Sequence, residues 1–135
     1  DSANPIIVIN GDLVTRVEYA ELLRFHQQHR GVATLCVREY DLKIPYGVVE
    51  ADGVDLVRIV EKPVQTFFVN AGIYVIDRSV IQEVCTNHPK EMPDLLQQQI
   101  DQGKNVNLFP IHEYWRDVGG LSEYERAQED AKSNI

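Results

Sequence analysis

Ile6-Ile7-Val8-Ile9 is four consecutive apolar positions, a run that cannot alternate between core and solvent. Both faces of such a strand need cover, so the pattern predicts a central parallel strand with neighbours on either side. After Asn10-Gly11-Asp12, Thr15 and Glu18 have capping-box spacing and predict a helix with the stripe Tyr19, Leu22, Leu23 and His26, stopping near Gly31. Ala33–Arg38 reads as the next strand, and strand, helix and strand together predict a right-handed βαβ unit.

Tyr46–Ala51 and Val54–Glu61 flank Asp52-Gly53, a strong two-residue hairpin signal, and Pro63 closes that arm. Phe67–Ile76 is a β-rich run interrupted by Asn70-Ala71-Gly72. Ser79 with Gln82 predicts a short helix ending before Pro89, and Pro93 opens another that Gly103 closes. Val106–Phe109 predicts a short strand, and Leu121, Tyr124, Ala127 and Ala131 mark a final helix. The expected class is α/β: a Rossmann-like, mixed, mostly parallel sheet flanked by helices with an inserted β-hairpin. Residues 1–135 read as a single domain, without repeats or a linker.

With 13 Lys plus Arg against 21 Asp plus Glu, the chain carries a formal charge of −8. That balance disfavours sequence-independent nucleic-acid binding and anionic membrane surfaces, both of which need basic excess. Cys36 and Cys85, each in an apolar stretch, read as free buried thiols of a reducing compartment, and a cytoplasmic setting is expected. The four histidines have no metal-ligand spacing. No Gly-x-Ser-x-Gly elbow is present to support a serine hydrolase.

Candidate chemistry sits at strand ends. Asp12 follows a buried strand, at the carboxyl end where open α/β sheets bind ligands, and can hold a divalent metal against a phosphate; a turn residue is the plainer alternative. Asp117, in Tyr114-Trp115-Arg116-Asp117-Val118-Gly119-Gly120, is a second strand-end carboxylate. Glu61 continues a mostly apolar strand face, and Lys62 beside it precedes Pro63, a pair suited to a ligand with hydroxyls and a phosphate. A solvated strand end would explain the same pair. Asn70-Ala71-Gly72 implies close backbone approach, to a ligand or at a bulge.

In order, Val8–Asp12, Pro45-Tyr46-Gly47-Val48-Val49, Glu61-Lys62-Pro63, Val69–Tyr74 and Tyr114–Gly119 resemble the sugar-nucleotide pyrophosphorylases. The resemblance leans to the mannose-1-phosphate guanylyltransferase-related branch through Met92–Leu96 and Phe109–Trp115. It implies a partial nucleotide-diphospho-sugar transferase fold. The implied reaction joins a nucleoside triphosphate to a sugar 1-phosphate and releases pyrophosphate. Asp12 and Asp117 would then bind Mg²⁺ and Lys62 the sugar phosphate; these three are the expected catalytic residues. Glu61, Asn70 and the backbone at Gly47 and Gly72 would line the sugar pocket, with Tyr46 and Tyr74 against the ring. The family's Gly-rich G-x-G-T-R loop is not matched, so the chain resembles the C-terminal, sugar- and metal-binding portion. That implies inactivity alone and self-association through an uncovered sheet edge. A non-catalytic nucleotide-sugar sensor and a purely structural protein are the alternatives.

Overall fold

The computed structural model describes residues 4–84, 91–112, 115–117 and 121–133. Expectations that rest on Cys85, His88, Pro89, Tyr114 and Val118–Gly120 lie outside the described residues. The elements run β1 (Ile6–Ile9), β2 (Leu13–Thr15), α1 (Tyr19–His29), β3 (Ala33–Lys43), β4 (Val48–Asp52), β5 (Asp55–Val60) and β6 (Val64–Ile76), then α2 (Arg78–Val84), α3 (Met92–Asp101), β7 (Val106–Pro110), β8 (Trp115–Asp117) and α4 (Leu121–Lys132). No helix among the described residues is long and apolar enough to cross a membrane.

Residues 1–37 and 70–135 form one compact unit, and residues 38–69 form another. The four-stranded sheet has the order β1-β6-β3-β7, with β1 antiparallel to β6 and β3 parallel to β7. β2–β8 and β4–β5 are separate antiparallel pairs. The sheet is therefore mixed and α/β, as expected.

Two expectations are corrected. Within the described residues β1 is not a central parallel strand: it stands at the edge of the four-stranded sheet and pairs with β6, antiparallel. β6 also lies between β1 and β3, so the first strand, helix and next strand are not a simple βαβ unit of adjacent strands. The apolar run was nonetheless a true sign of two covered faces. Ile7 packs on the cluster of Leu22, Cys36, Ala71, Ile73 and Val75, and Val8 on that of Tyr74, Ile76, Val80, Leu95 and Leu96. β6 splits the same way, so α1 covers one face and α2 with α3 the other. Alternation of side chains along each strand enforces that division.

The Thr15–Glu18 capping box does not form. Thr15 is drawn into β2, and Glu18 itself stands at the cap of α1 without a side-chain cap hydrogen bond. The helix ends on Arg30, left-handed at φ 54°, just before the predicted Gly31. Gly31 is there for space. A Cβ at that position would lie 2.5 Å from Asn107 Nδ2 and 3.0 Å from the Asn105 carbonyl oxygen. His26, from the apolar stripe of α1, is buried with both ring nitrogens engaged: Nδ1 lies 2.8 Å from Thr34 Oγ1, and Nε2 2.7 Å from Asp77 Oδ1. This ties α1 to β3 and to the corner where β6 meets α2.

Between α2 and α3, Gln99 Nε2 donates to Glu83 Oε2 at 3.0 Å and Lys104 Nζ to Oε1 at 2.8 Å. The Gln99 hydrogen bond first, and Lys104 second, hold the Glu83 carboxyl below the ordinary glutamate value.

Because the folded value is depressed, this stabilisation is present above the unfolded pKa of about 4.3 and is lost as pH falls through the folded value. Urea titrations across the acid range should show a gap between wild type and Glu83→Gln that closes as pH falls; a gap that widens would contradict it. Gly31→Ala should cost about 1–3 kcal/mol of stability by overpacking, as read by denaturant melts, and an unchanged midpoint would show that Asn107 yields freely.

Candidate functional site

At the end of β1 the backbone is bound to the start of the buried part of β6. Asn10 N–H donates to the Gly72 carbonyl at 2.9 Å. Gly72 is left-handed, φ 76°, and its own N–H donates to Asn70 Oδ1 at 2.7 Å. Asn70 Nδ2 in turn donates to the Tyr74 hydroxyl at 2.9 Å. A Cβ at Gly72 would meet Asn10 Nδ2 at 2.6 Å and Leu13 Cδ1 at 2.9 Å. The two residues that bracket Gly11-Asp12 thus both rest on the bare Cα of Gly72.

Leu13 opens β2, and its backbone partner across the antiparallel pair is Asp117 of β8. Opposed residues in such a pair have Cα atoms roughly 4.5–5.5 Å apart. Asp12, an exposed residue, immediately precedes Leu13. The chain's two strand-end carboxylate positions, 105 residues apart in sequence (117 − 12), are brought together at this pair. Among the described residues no group of three or more His, Cys, Asp or Glu is assembled to hold a metal. Two neighbouring carboxylate positions still suit Mg²⁺, which keeps several waters and takes one or two carboxylates plus substrate phosphates.

The unit of residues 38–69 gathers another set. Lys62 N–H donates to the Tyr46 carbonyl at 3.2 Å. Glu61 Oε2 lies 3.1 Å from where a Cβ of Gly47 would stand, with Ile59 Cγ2 at 3.5 Å. Strand alternation, seen in the Val49↔Ile59 and Glu50↔Arg58 pairs, puts the Glu50–Arg58 ion pair on the face opposite Ile59. Tyr46 is 74% exposed, so its ring face is open. Lys62 has φ 44°, and Arg30 is the other described non-glycine residue with positive φ. A left-handed lysine before a proline is an unfavourable conformation that the surroundings must hold.

Sequence reasoning therefore named residues that gather in two sets: Asp12 with Asp117, and Tyr46, Gly47, Glu61 and Lys62. Gly72 and Tyr74 are buried, and the exposed Asn70 side chain is bonded to both. Both backbone groups of Gly72 are occupied within the chain. Tyr74, 1% exposed, packs in the core rather than offering its ring to a ligand. The placements of Asn10 and Leu13 against Gly72 were missed, and the one available signal was Asn-Gly at a strand end. A cleft of about 270 Å³ beside α3 is lined mainly by Leu35, Leu96, Ile100, Val106 and Leu108, with Asn70 and Gln97 as its polar lining residues. Without a charged group in that lining, it is ill suited to a phosphorylated ligand.

The architecture is that of nucleotide-sugar transferases. A Bacillus anthracis structure carrying the name glucose-1-phosphate thymidylyltransferase, solved with sucrose, matches 95% of this chain and 55% of its own at TM-score 0.66 and 19% identity. HddC from Yersinia pseudotuberculosis, solved with GMP-PN, matches 95% and 56% at TM-score 0.62 and 25% identity. The chain belongs to the nucleotidyl transferase family, whose model matches residues 1–134. The mannose-1-phosphate guanyltransferase of Pichia angusta is 36% identical over 129 residues, covering 89% of this chain and 34% of its own length. The chain spans about a third of the length of the curated relatives it matches.

Tyr74→Phe should cost about 0.5–1.5 kcal/mol in denaturant melts, because Asn70 loses one neutral acceptor. A loss of several kcal/mol would mean that the hydroxyl carries more than this one bond.

Proposed function

We propose that the protein containing this chain transfers a nucleotidyl group from a nucleoside triphosphate to a sugar 1-phosphate, releasing pyrophosphate. The observation that carries the reading is the register Leu13↔Asp117, which supports a shared role for Asp12 and Asp117. Family membership and the guanyltransferase relatives make mannose 1-phosphate with GTP the first pair to assay.

The sugar-phosphate oxygen attacks the α-phosphorus in line, and the oxygen bridging to the β-phosphate leaves with pyrophosphate. Such transfers depend on positioning and charge neutralisation more than on covalent help from the protein. Asp12 and Asp117 would hold Mg²⁺, which when bound supplies charge neutralisation to the reacting phosphates. Lys62, a compact cation on a conformationally fixed backbone, binds the sugar phosphate. Glu61 accepts hydrogen bonds from sugar hydroxyls, and the missing side chain of Gly47 leaves room beside its carboxylate. Tyr46 offers an open ring to the sugar face.

Asp12→Asn in the intact protein should lower kcat by about 100-fold or more with little change in sugar-phosphate KM, since lost metal charge is felt most in the transition state. Lys62→Ala should raise the sugar 1-phosphate KM by about 10-fold or more while the triphosphate KM holds, as expected for a lost charged hydrogen bond. Steady-state pyrophosphate release with each substrate varied separately measures both. Equal losses on both substrates for Lys62→Ala, or a wild type without turnover on any sugar 1-phosphate, would overturn the assignments.

A further inference from the structure

We propose that Gly72, held by Asn70, is a positioning residue that seats Asp12 beside Asp117, rather than a residue that contacts sugar. The proposal rests on the metal role given above to the two carboxylates. Three observations carry it. First, the polar groups of Gly72 are spent inside the chain: its N–H goes to Asn70 Oδ1 and its carbonyl takes the Asn10 N–H. Second, its bare Cα is where both flanks of the Asp12 turn come to rest, since a Cβ would stand 2.6 Å from Asn10 Nδ2 and 2.9 Å from Leu13 Cδ1. Real Cβ atoms do not tolerate such approaches, so any side chain here displaces one flank or both. Third, Leu13 is the residue that pairs with Asp117. Displacing Leu13 shifts the strand that fixes the two carboxylate positions relative to each other.

Asn70 sets the backbone that makes this possible. Its carboxamide oxygen satisfies the Gly72 N–H, which the left-handed turn takes out of the regular ladder, and its nitrogen is anchored on the buried Tyr74 hydroxyl. The line of support runs from a phenol in the core, through an exposed carboxamide, to a glycine and so to the metal-side turn. Tyr74 and Gly72, both buried, act on the metal-side turn by positioning, and Asn70 links them.

The test uses the 135-residue chain, with backbone NMR hydrogen exchange as one readout and Mn²⁺ titration followed by EPR as the other. Gly72→Ala should speed amide exchange in β2 and β8 by about tenfold or more, the effect of forcing a left-handed non-glycine residue into a crowded turn, while Val8 and Val75 keep their protection. Mn²⁺ affinity should fall toward that of Asp12→Asn. If Gly72→Ala does not fold, Asn70→Ala decides, because Asn70 is exposed; it should change both readouts in the same direction by a smaller factor. Asn70→Asp keeps an oxygen for the Gly72 N–H and should retain wild-type exchange, a rescue that general loss of stability would not produce. β2–β8 exchange within about twofold of wild type in Gly72→Ala and Asn70→Ala would overturn the proposal. Wild-type Mn²⁺ binding unaffected by Asp12→Asn would remove the metal reading, and the exchange data would still decide whether Gly72 positions the turn.

Discussion

A single close approach organises one end of the sheet: the turn after β1 lies directly on Gly72 of β6. Backbone hydrogen bonding alone would join Asn10 to Gly72, as it joins any two paired strands. The missing Cβ adds something different. It lets a carboxamide and a leucine side chain descend to the strand and fixes the direction in which the chain leaves β1. From there the chain enters β2, whose partner is β8, so the last described strand takes its register from the first turn. A contact between positions 10 and 72 thereby governs the neighbourhood of position 117.

The rest of the larger unit is arranged to keep that contact steady. β6 is buried on both faces from Ala71 to Ile76, with α1 on one side and α2 and α3 on the other. His26 closes the corner after β6 through Asp77, so both ends of the buried stretch are tied by polar side chains. Well-packed interiors have little compressibility, and a residue at the rim of such a strand inherits its rigidity. Rigid support of this kind suits chemistry that works by positioning.

Local pattern revealed most of the elements and, of the candidate site, which residues are neighbours along the chain. Asp52-Gly53 marked the hairpin one residue early: Asp52 pairs with Asp55 and the two-residue loop is Gly53-Val54, where Gly53 adopts the left-handed backbone, φ 59°. Glu61 and Lys62 were legible because strand alternation and the following proline are local facts. Thr15 misled because a capping box is also local, whereas its actual place in β2 is decided by pairing with Trp115, 100 residues away (115 − 15). The same limit explains Gly72: its residue type announced a special backbone, but only its long-range contacts with Asn10 and Leu13 show that the close approach is made by the chain itself. β1 was misplaced for a related reason, since coverage of both faces by helices does not fix how many strands lie alongside.

No residue from 38 to 69 is buried, although Val49, Leu56, Val57 and Ile59 are each more than half exposed. This unit is held by its hairpin ladder, by the Glu50–Arg58 pair and by bonds such as Ile44 N–H to the Pro63 carbonyl, not by an interior of its own. Exposed positions away from caps, turns and pairs usually change stability by no more than about 0.5 kcal/mol when substituted. Most of the hairpin's side chains can therefore be exchanged without endangering the fold, whereas Gly72 cannot. Sequence change is therefore tolerated far more readily across the hairpin than at the turn over Gly72, so the two regions are free to diverge at different rates.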